Sequence, residues 1–253
     1  MARSVRLPLV VAHRGGSPAD IDNSLAAFQH ALAVGAHLVE CDLRTTRDGI
    51  IALYHDPVYD SLNIRRHTIS ELRAAIPTLI TLEELLDCVG AQDAAYRLVL
   101  DLKERDTDRA LAPLIERHGL ERRVIVTSRH TGSLRRLRRQ FPLLRMALSR
   151  GSSLEQLRPA ALRRVYHRLL RVVFPVLVFQ QLRWCGATAV SFHYSLIDSR
   201  SVHRYHRLGY RIYAWTVDDC PRARRLARAG VDLIATDLPD EILACLGWNT
   251  PDG

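Results

Sequence analysis

Two histidines, two carboxylates and an arginine stand where apolar runs of the chain give way to polar residues. His13 and Arg14 follow the first run, Glu40 and Asp42 end the second, and His55 ends the third. Histidine exchanges protons near neutral pH, carboxylate oxygens bind hard cations, and arginine holds phosphate oxygens in a fork. This combination is typical of metal-assisted acid–base chemistry on a phosphate ester.

The spacing between Asp42 and His55 indicates how the third run returns to the second. Asp48-Gly49 is a turn signal that lies about midway between them. A chain that extends about six residues, turns and comes back about six residues returns level with its start. The sequence therefore predicts a hairpin excursion that brings His55 back to the carboxylates.

Strand-like and helix-like segments alternate along all 253 residues. Eight runs rich in Val, Ile, Leu and Ala read as strands buried on both faces, and a ninth, 50–55, is the returning arm of the hairpin. The eight runs are 9–13, 38–43, 97–103, 124–128, 145–149, 189–194, 211–217 and 233–237. Helices are predicted at 24–34, 81–88, 108–118, 132–140, 199–208 and 221–229 from their apolar spacing and capping residues.

Eight strands alternating with helices at this length predict an α/β fold, a single TIM (β/α)8 barrel that spans residues 1–253 as one domain. Active sites of such barrels lie at the carboxyl ends of the strands. Polar residues gather at these predicted ends: His13, Glu40, Asp42, Asp101, Lys103, Ser128, His193, Trp215 and Asp237.

Three carboxylates are candidate metal ligands. Glu40 and Asp42 share one face of a strand because side chains alternate, and Asp101 follows on the next barrel strand. Three carboxylate oxygens, completed by water and phosphate, suit one divalent cation, Mg2+ or Ca2+. The alternative is a salt-bridge network of these carboxylates with Arg14, Arg44 and Lys103.

His13 and His55 are the candidate acid and base, with His13 favoured as the base although the sequence leaves their order open. Each could instead be a structural histidine at a strand end. Arg14 and Lys103 are candidate phosphate-binding residues. Trp215 could form a wall of the pocket or stack on a choline-like cation, or it could simply pack at the barrel rim.

The overall composition narrows the function classes. A net charge of +9 and a pI of about 9.8 favour anionic ligands, namely phosphate esters, membrane surfaces or nucleic acid. The motifs of nucleotide-binding loops, zinc proteases and serine hydrolases (GxxxxGK[ST], GxGxxG, HExxH, GxSxG) do not occur in the sequence.

Five scattered cysteines without a CxxC pair read mostly as small core residues in a reducing compartment.

As a set, the motifs resemble the glycerophosphodiester phosphodiesterase family, and the resemblance covers most of the chain except about residues 150–185. They occur in this order: Ala12-His13-Arg14-Gly15-Gly16, Asn23-Ser24-Leu25-Ala26-Ala27-Phe28, Gly35-Ala36, Val39-Glu40-Cys41-Asp42-Leu43, Thr46-Arg47-Asp48-Gly49, His55-Asp56, Pro77-Thr78-Leu79, Leu100-Asp101-Leu102-Lys103, Trp215-Thr216-Val217-Asp218, Gly230-Val231-Asp232 and Thr236-Asp237-Leu238-Pro239.

This resemblance implies a TIM barrel, a divalent metal on Glu40 and Asp42, and acid–base histidines at His13 and His55. It implies cleavage of a glycerophosphodiester to an alcohol and glycerol phosphate. A substrate hydroxyl next to the phosphate can attack it in such families, giving a cyclic phosphate that is then hydrolysed.

Two positions depart from the pattern that the resemblance implies. Asp22 and Asp101 stand where the family usually has glutamate, which reaches one methylene further, so a ligand role for Asp22 is in doubt. Asp101 also resembles sphingomyelinase D and lysophospholipase-type relatives, which form cyclic phosphates. One alternative is therefore a lysophospholipase D or sphingomyelinase D-like enzyme. The net charge of +9 also permits an inactive barrel that binds anionic lipid, and nucleic acid is not expected as a partner.

A basic and apolar insertion is predicted near residues 150–185. Residues 158–184 combine six arginines with Leu, Val, Phe and Trp184, which suits peripheral contact with a membrane, or else a barrel helix with solvated arginines. The apolar run 7–12 is too short for a signal peptide, and no stretch is long enough to span a bilayer. We expect a cytoplasmic protein that could sit peripherally on the membrane.

Overall fold

The computed structural model describes residues 7–16, 21–90, 97–151 and 176–248. Within them the chain forms eleven strands: β1 (Leu9–Ala12), β2 (Leu38–Thr45), β3 (Ile51–Leu53), β4 (Val58–Tyr59), β5 (Leu62–Asn63), β6 (Leu98–Leu102), β7 (Val124–Ser128), β8 (Arg145–Arg150), β9 (Ala189–His193), β10 (Arg211–Trp215) and β11 (Leu233–Thr236). Strands β1, β2 and β6 to β11 pair in parallel around a ring that β1 closes by pairing with both β2 and β11. The predicted (β/α)8 barrel is confirmed.

Helices connect the barrel strands and cover their outer faces. They are α1 (Leu25–Ala33), α2 (Ile69–Ala75), α3 (Leu82–Gly90), α4 (Thr107–Arg117), α5 (Thr131–Gln140), α6 (176–185), α7 (Ser199–Arg207), α8 (Cys220–Ala229) and α9 (Pro239–Leu246). All six predicted helices are present. The capping residues match the prediction, because the Ser24 hydroxyl accepts from the Ala27 N–H and Thr81 forms a reciprocal cap with Glu84.

Three helices were not predicted. α2 has seven residues, which is less than two full turns and too short for an apolar period to be recognised in the sequence. α9 begins at Pro239 almost directly after β11, so its first turn reads in the sequence as the end of a strand. α6 lies in the segment that was predicted as an insertion, and its buried Val178, Leu182 and Cys185 pack against the barrel.

Two apolar layers hold the barrel together. Inside the ring, Val11, Leu38, Val99, Leu233 and Ala235 form an apolar cluster together with Tyr213. Outside the ring, strand residues such as Val10 and Leu100 pack against helix residues such as Phe28 and Leu111. Because apolar residues fill both layers, polar side chains are left to the rim.

The hairpin excursion forms as predicted and is the element that positions His55. Strand β2 continues past the barrel to Thr45, turns at Asp48-Gly49 and returns as β3, which pairs antiparallel with it. Gly49 takes a φ of 80°, which suits glycine in this turn. The Tyr54 N–H then donates to the Asp42 carbonyl at 3.0 Å, which sets His55 one residue beyond the level of Asp42.

Two regions differ from what the sequence suggested. Cys220 and Cys245 form a disulfide between α8 and α9, whereas Cys41 and Cys185 are the small buried thiols that were expected. Much of the predicted basic and apolar insertion, residues 152–175, lies outside the described residues. None of the helices in the described ranges is long and apolar enough to cross a membrane.

Candidate active site

A pocket of about 1330 Å3 opens at the carboxyl ends of the barrel strands. The predicted site residues line it together: His13, Arg14, Glu40, His55, Asp101, Lys103 and Trp215. Asp42 lies directly beneath this lining and is fully buried. The eight residues that the sequence selected from five different strand ends or loops are therefore brought to one pocket.

A tight turn after β1 aims His13 and Arg14 at the pocket. Residues His13–Gly15 form one turn of 3-10 helix in which Arg14 has a φ of 54°. Gly15 has a φ of 97°, and a Cβ at this position would lie 2.5 Å from the Ala27 Cβ. Only glycine allows the turn to pack this closely on α1, so Gly15 fixes the direction of the two polar side chains before it.

The carboxylates of Glu40, Asp42 and Asp101 converge, with one oxygen of each within 4.8 Å of the others. Lys103 Nζ lies 2.7 Å from Asp42 Oδ1 and 2.6 Å from Asp101 Oδ2. Arg14 Nε lies 3.2 Å from Asp42 Oδ2, and the backbone N–H of Arg14 donates to Glu40 Oε2 at 3.0 Å. Part of the alternative salt-bridge network is thus present alongside the cluster.

The charges of this cluster fit a divalent cation. Three carboxylates face two fixed cations, Lys103 and Arg14, and both cations contact Asp42. Burial and the neighbouring Asp42 raise the pKa of Glu40 to about 8, because its negative charge has little compensation. An all-oxygen donor set with surplus negative charge is what Mg2+ and Ca2+ prefer.

Asp42 itself stays ionised. Burial alone would raise its pKa, but the charges of Lys103, His55 and Arg14 outweigh burial and hold the pKa well below its usual range. Asn23 fixes the orientation of this carboxylate, since its Nδ2 donates to Asp42 Oδ2 at 3.0 Å and its Oδ1 accepts from the Asp42 N–H at 3.0 Å. Asp22 points elsewhere and pairs with Arg14 Nη1 at 3.2 Å.

His13 is held between two acidic groups. Its Nδ1 lies 2.6 Å from Asp237 Oδ1, and its Nε2 lies 3.9 Å from Glu40 Oε2. Burial lowers the pKa of His13, but the hydrogen bond to Asp237 and the charge of Glu40 outweigh it, so the net pKa is raised. The Asp237 contact leaves Nε2 as the ring nitrogen that faces the carboxylate cluster.

His55 approaches the same cluster from the hairpin. Its Nδ1 lies 2.9 Å from Asp56 Oδ1, and the Asp42 charge acts on it. Burial is the largest influence and lowers the pKa of His55. Arg44 holds the backbone here, because its Nε and Nη2 donate to the His55 carbonyl at 3.0 Å and 2.6 Å. Arg44 pairs with Glu104, so it does not join the carboxylate network as the alternative had it.

Trp215, at the end of β10, and His193, at the end of β9, form another wall of the pocket. Their rings meet edge to face at 5.4 Å, and the His193 Nδ1 lies 2.8 Å from the Ser195 hydroxyl. A Cβ on Gly151 would lie 3.1 Å from the Trp215 indole, so the chain after β8 approaches this ring closely. Trp215 therefore borders the pocket, and its role toward a ligand stays a prediction.

The sequence interpretation gave no role to three residues at the site. Asn23 orients Asp42, and Asp237 orients His13. Tyr213 lines the pocket, and its burial, together with the charges of the nearby carboxylates, raises its pKa well above its usual range. An Asn-Ser pair before a helix reads only as a cap, so nothing local marks Asn23. Asp237 stands at a strand end, which was a signal of position but not of its partner.

The barrel and its rim define a TIM-barrel enzyme whose site has acid–base, carboxylate and cationic groups suited to a phosphate ester. The sequence profile of the glycerophosphoryl diester phosphodiesterase family matches residues 13–241, so the chain belongs to that family and is a phosphoric diester hydrolase. This sets aside the alternative of an inactive barrel.

Individual relatives agree over nearly the whole chain. A glycerophosphodiester phosphodiesterase of Caldanaerobacter subterraneus is 27% identical, with 93% of this chain and 96% of the relative covered. A Mycobacterium tuberculosis protein named "Probable glycerophosphodiester phosphodiesterase 2" is 31% identical, with 92% of this chain and 88% of that one covered. The crystal structure of a glycerophosphodiester phosphodiesterase from Parabacteroides distasonis superimposes with a TM-score of 0.77 at 26% identity, covering 95% of this chain and 97% of the other.

Proposed function

We propose that this chain hydrolyses glycerophosphodiesters to an alcohol and glycerol phosphate with one divalent cation and a pair of histidines. The observation that carries the proposal is the convergence of His13 and His55, from separate elements, on the cluster of Glu40, Asp42 and Asp101. The family match supplies the substrate class. A cytoplasmic location stays a prediction from the sequence.

Glu40, Asp42 and Asp101 are the proposed cation ligands. A bound Mg2+ or Ca2+ would polarise a phosphoryl oxygen of the substrate. Asp101 also accepts from the Thr127 hydroxyl at 2.6 Å, which fixes its carboxylate against β7. Arg14 and Lys103 are the proposed phosphate-binding cations, because both line the pocket beside the carboxylates. Trp215 is the proposed wall for the alcohol half of the substrate.

His13 and His55 are the proposed proton carriers. In each ring the Nδ1 is engaged by a carboxylate, Asp237 or Asp56, which leaves the Nε2 to exchange a proton with the substrate. One imidazole removes the proton from the attacking water or hydroxyl, and the other protonates the leaving oxygen. The sequence favoured His13 as the base, whereas the directions of the two pKa shifts favour the opposite order.

The pair is tested by His13→Ala and His55→Ala with glycerophosphoglycerol as substrate. Each should lower kcat by about 10²–10⁴ while the circular dichroism spectrum stays native. His203→Ala is the matched control, because His203 is exposed on α7 outside the pocket. Turnover near that of the wild type in either site variant would remove that histidine from the mechanism.

The pH profile separates the two roles. Loss of the base should abolish the fall of kcat/KM toward acidic pH, since this limb reports protonation of the base. Loss of the acid should abolish the fall toward alkaline pH. The pH dependence of the residual activity in each of the two alanine variants therefore shows which histidine is the base and which is the acid.

A lysophospholipid substrate is a second candidate, with a specific observation in its favour. Gln181 of α6 lines the pocket, and on the same helix Val176, Leu177 and Trp184 are 56%, 49% and 51% exposed. An apolar surface beside the pocket suits a substrate with an acyl chain and peripheral contact with a membrane. Phosphorus NMR on lysophosphatidylcholine distinguishes the outcomes, because a persistent cyclic phosphate indicates a sphingomyelinase D-like reaction.

A further inference from the structure

Three arginines stand side by side on the rim, outside the groups that the proposed reaction uses. Arg105 follows β6, Arg129 directly follows β7, and Arg150 is the last residue of β8. All three line the pocket, and β6, β7 and β8 are neighbours in the barrel. We call these three residues the arginine arc. It continues the rim from Asp101, on β6, away from the hairpin.

The arc carries positive charge that no carboxylate of the described residues pairs with. Of the carboxylates that line the pocket, Asp101 pairs with Lys103 and Glu104 with Arg44, while Glu40 and Asp56 each lie beside a histidine. Within the described part of the chain, no carboxylate forms an ion pair with an arc residue. The arc is therefore a source of positive potential that faces the pocket.

Arg150 is held in place by neutral groups. Its Nε donates to Gln181 Oε1 at 3.1 Å, and its Nη1 donates to the carbonyls of Arg129 and Ser149 at 2.9 Å and 2.8 Å. Its Nη2 also contacts Gln181 Oε1. A guanidinium has five N–H donors, so these four bonds fix the group and leave one donor for a ligand.

Among residues 7–16, 21–90, 97–151 and 176–248, no carboxylate pairs with Arg150, so its partial burial is unfavourable. Burial lowers its pKa, and none of the three acceptors of its four hydrogen bonds is charged. A solvated rim arginine would move freely in water, as the exposed side chains of Arg105 and Arg129 can. A cation that is fixed and has no carboxylate partner in the part of the chain that the structure describes is instead arranged for an anion that arrives with the ligand.

We propose that the arginine arc binds a second anionic group, carried by the alcohol half of the substrate. This inference rests on the proposed function, because it assigns the side of the pocket that receives the leaving alcohol. The favoured substrates are glycerophosphodiesters whose alcohol bears a phosphate or a further phosphodiester. A choline-bearing diester brings a positive charge to the same place and is disfavoured.

The test compares kcat/KM for three diesters that differ in the charge of the alcohol. Bis(glycerophospho)glycerol carries a second phosphodiester, glycerophosphoglycerol has a neutral alcohol, and glycerophosphocholine has a cationic one. We expect kcat/KM for bis(glycerophospho)glycerol to be about tenfold higher than for glycerophosphoglycerol, beyond the gain from its two cleavable bonds. The choline ester should be the poorest substrate, and added salt should narrow the range.

Variants place the preference on the arc. Arg129→Gln and Arg105→Gln should each lower kcat/KM for bis(glycerophospho)glycerol several-fold more than for glycerophosphoglycerol. Neither side chain forms an ion pair with another described residue, so both variants should fold. Arg145→Gln is the control, since Arg145 is exposed at the opposite end of β8, and it should leave both values unchanged.

The outcomes separate this inference from the proposed function. Equal kcat/KM for bis(glycerophospho)glycerol and glycerophosphoglycerol would overturn the role of the arc. A preference for glycerophosphocholine would overturn it as well. So would a preference that neither arc variant reduces. Absence of cleavage of all three diesters would instead contradict the proposed function itself.

Discussion

At the scale of single residues, Asp42 is the centre of the site. Its side chain has no exposed surface and touches Lys103, Arg14 and Asn23. A buried carboxylate is stable only when charges and donors around it compensate the lost water, and these three neighbours do so. The adjacent Glu40 has fewer compensating neighbours, which makes the pair asymmetric: one permanent anion and one that gains most from a bound cation.

Asp237 offers a residue-scale prediction, because its carboxylate is hydrogen-bonded to the His13 ring. Asp237→Asn should lower kcat about tenfold or more, since the Nδ1 contact that orients the imidazole is weakened. It should also shift the limb of the pH profile that belongs to His13 toward lower pH, because the hydrogen bond to Asp237 raises the pKa of His13. Steady-state kinetics between pH 5 and 9 provides the measurement.

The matched control is Asp240→Asn, an exposed carboxylate in the first turn of α9. It lies three residues after Asp237 and makes no hydrogen bond or ion pair with His13. If both variants leave the profile of the wild type intact, Asp237 does not position His13.

The residue types that do chemistry could be read from the sequence, but their supporting partners could not. His13, Glu40, Asp42 and His55 are recognisable because histidine and carboxylate are uncommon at the ends of apolar runs. Asn23 holds Asp42 across 19 positions and Asp237 meets His13 across 224. Contacts of that separation exist only once the barrel has closed.

At the scale of elements, the β2–β3 hairpin was predictable because two local signals agree. Asp48-Gly49 supplies the turn, and the equal lengths on either side supply the register. Short or abruptly starting elements, such as α2 and α9, lack such agreement. Their stability comes from burial of Leu72 and Ile242 against the rest of the fold, which the local sequence does not reveal.

His37 links β1 to the chain before β2 and gives an element-scale prediction about pH. Its Nδ1 accepts from the Val10 N–H at 3.1 Å, and its ring packs edge to face on Trp248 at 4.3 Å. Burial lowers the pKa of His37 below the value of about 6.5 that it has when unfolded. The unfolded state therefore takes up the proton first, and the stability from His37 is present above pH 6.5 and lost as pH falls through the folded pKa.

We expect the free energy of unfolding of the wild type to fall more between pH 7.5 and pH 5 than that of His37→Gln. Urea denaturation at a series of pH values measures this difference. His203→Gln, on the exposed face of α7, should follow the wild type. Parallel pH curves for the wild type and His37→Gln would show that His37 has no such linkage.

At the scale of the whole molecule, the barrel followed from the number of apolar runs and the chain length. Eight buried strands that alternate with helices have few ways to cover both faces, and a closed ring is one of them. The disulfide was not predictable in the same way, because Cys220 and Cys245 approach only when α8 and α9 pack together. Nothing in their spacing sets them apart from Cys41, Cys88 and Cys185.

This disulfide gives a prediction for the molecule as a whole. It closes a loop of 25 residues between two neighbouring helices, so its removal should lower the free energy of unfolding by about 3 kcal/mol. The double variant Cys220→Ser with Cys245→Ser, compared by thermal and urea denaturation with Cys88→Ser, measures the loss. Thiol titration of the unreduced, denatured wild type should find the three cysteines that are free in the structure; five free thiols would contradict the pairing.

The central claim is that one divalent cation on Glu40, Asp42 and Asp101 works with His13 and His55 to cleave a glycerophosphodiester. The most direct measurement is turnover of glycerophosphoglycerol after chelation, followed by addition of Mg2+ or Ca2+. We predict that chelation abolishes release of glycerol phosphate and that one of the two cations restores it in the wild type but not in Asp42→Asn. Full turnover in the chelated enzyme would contradict the claim.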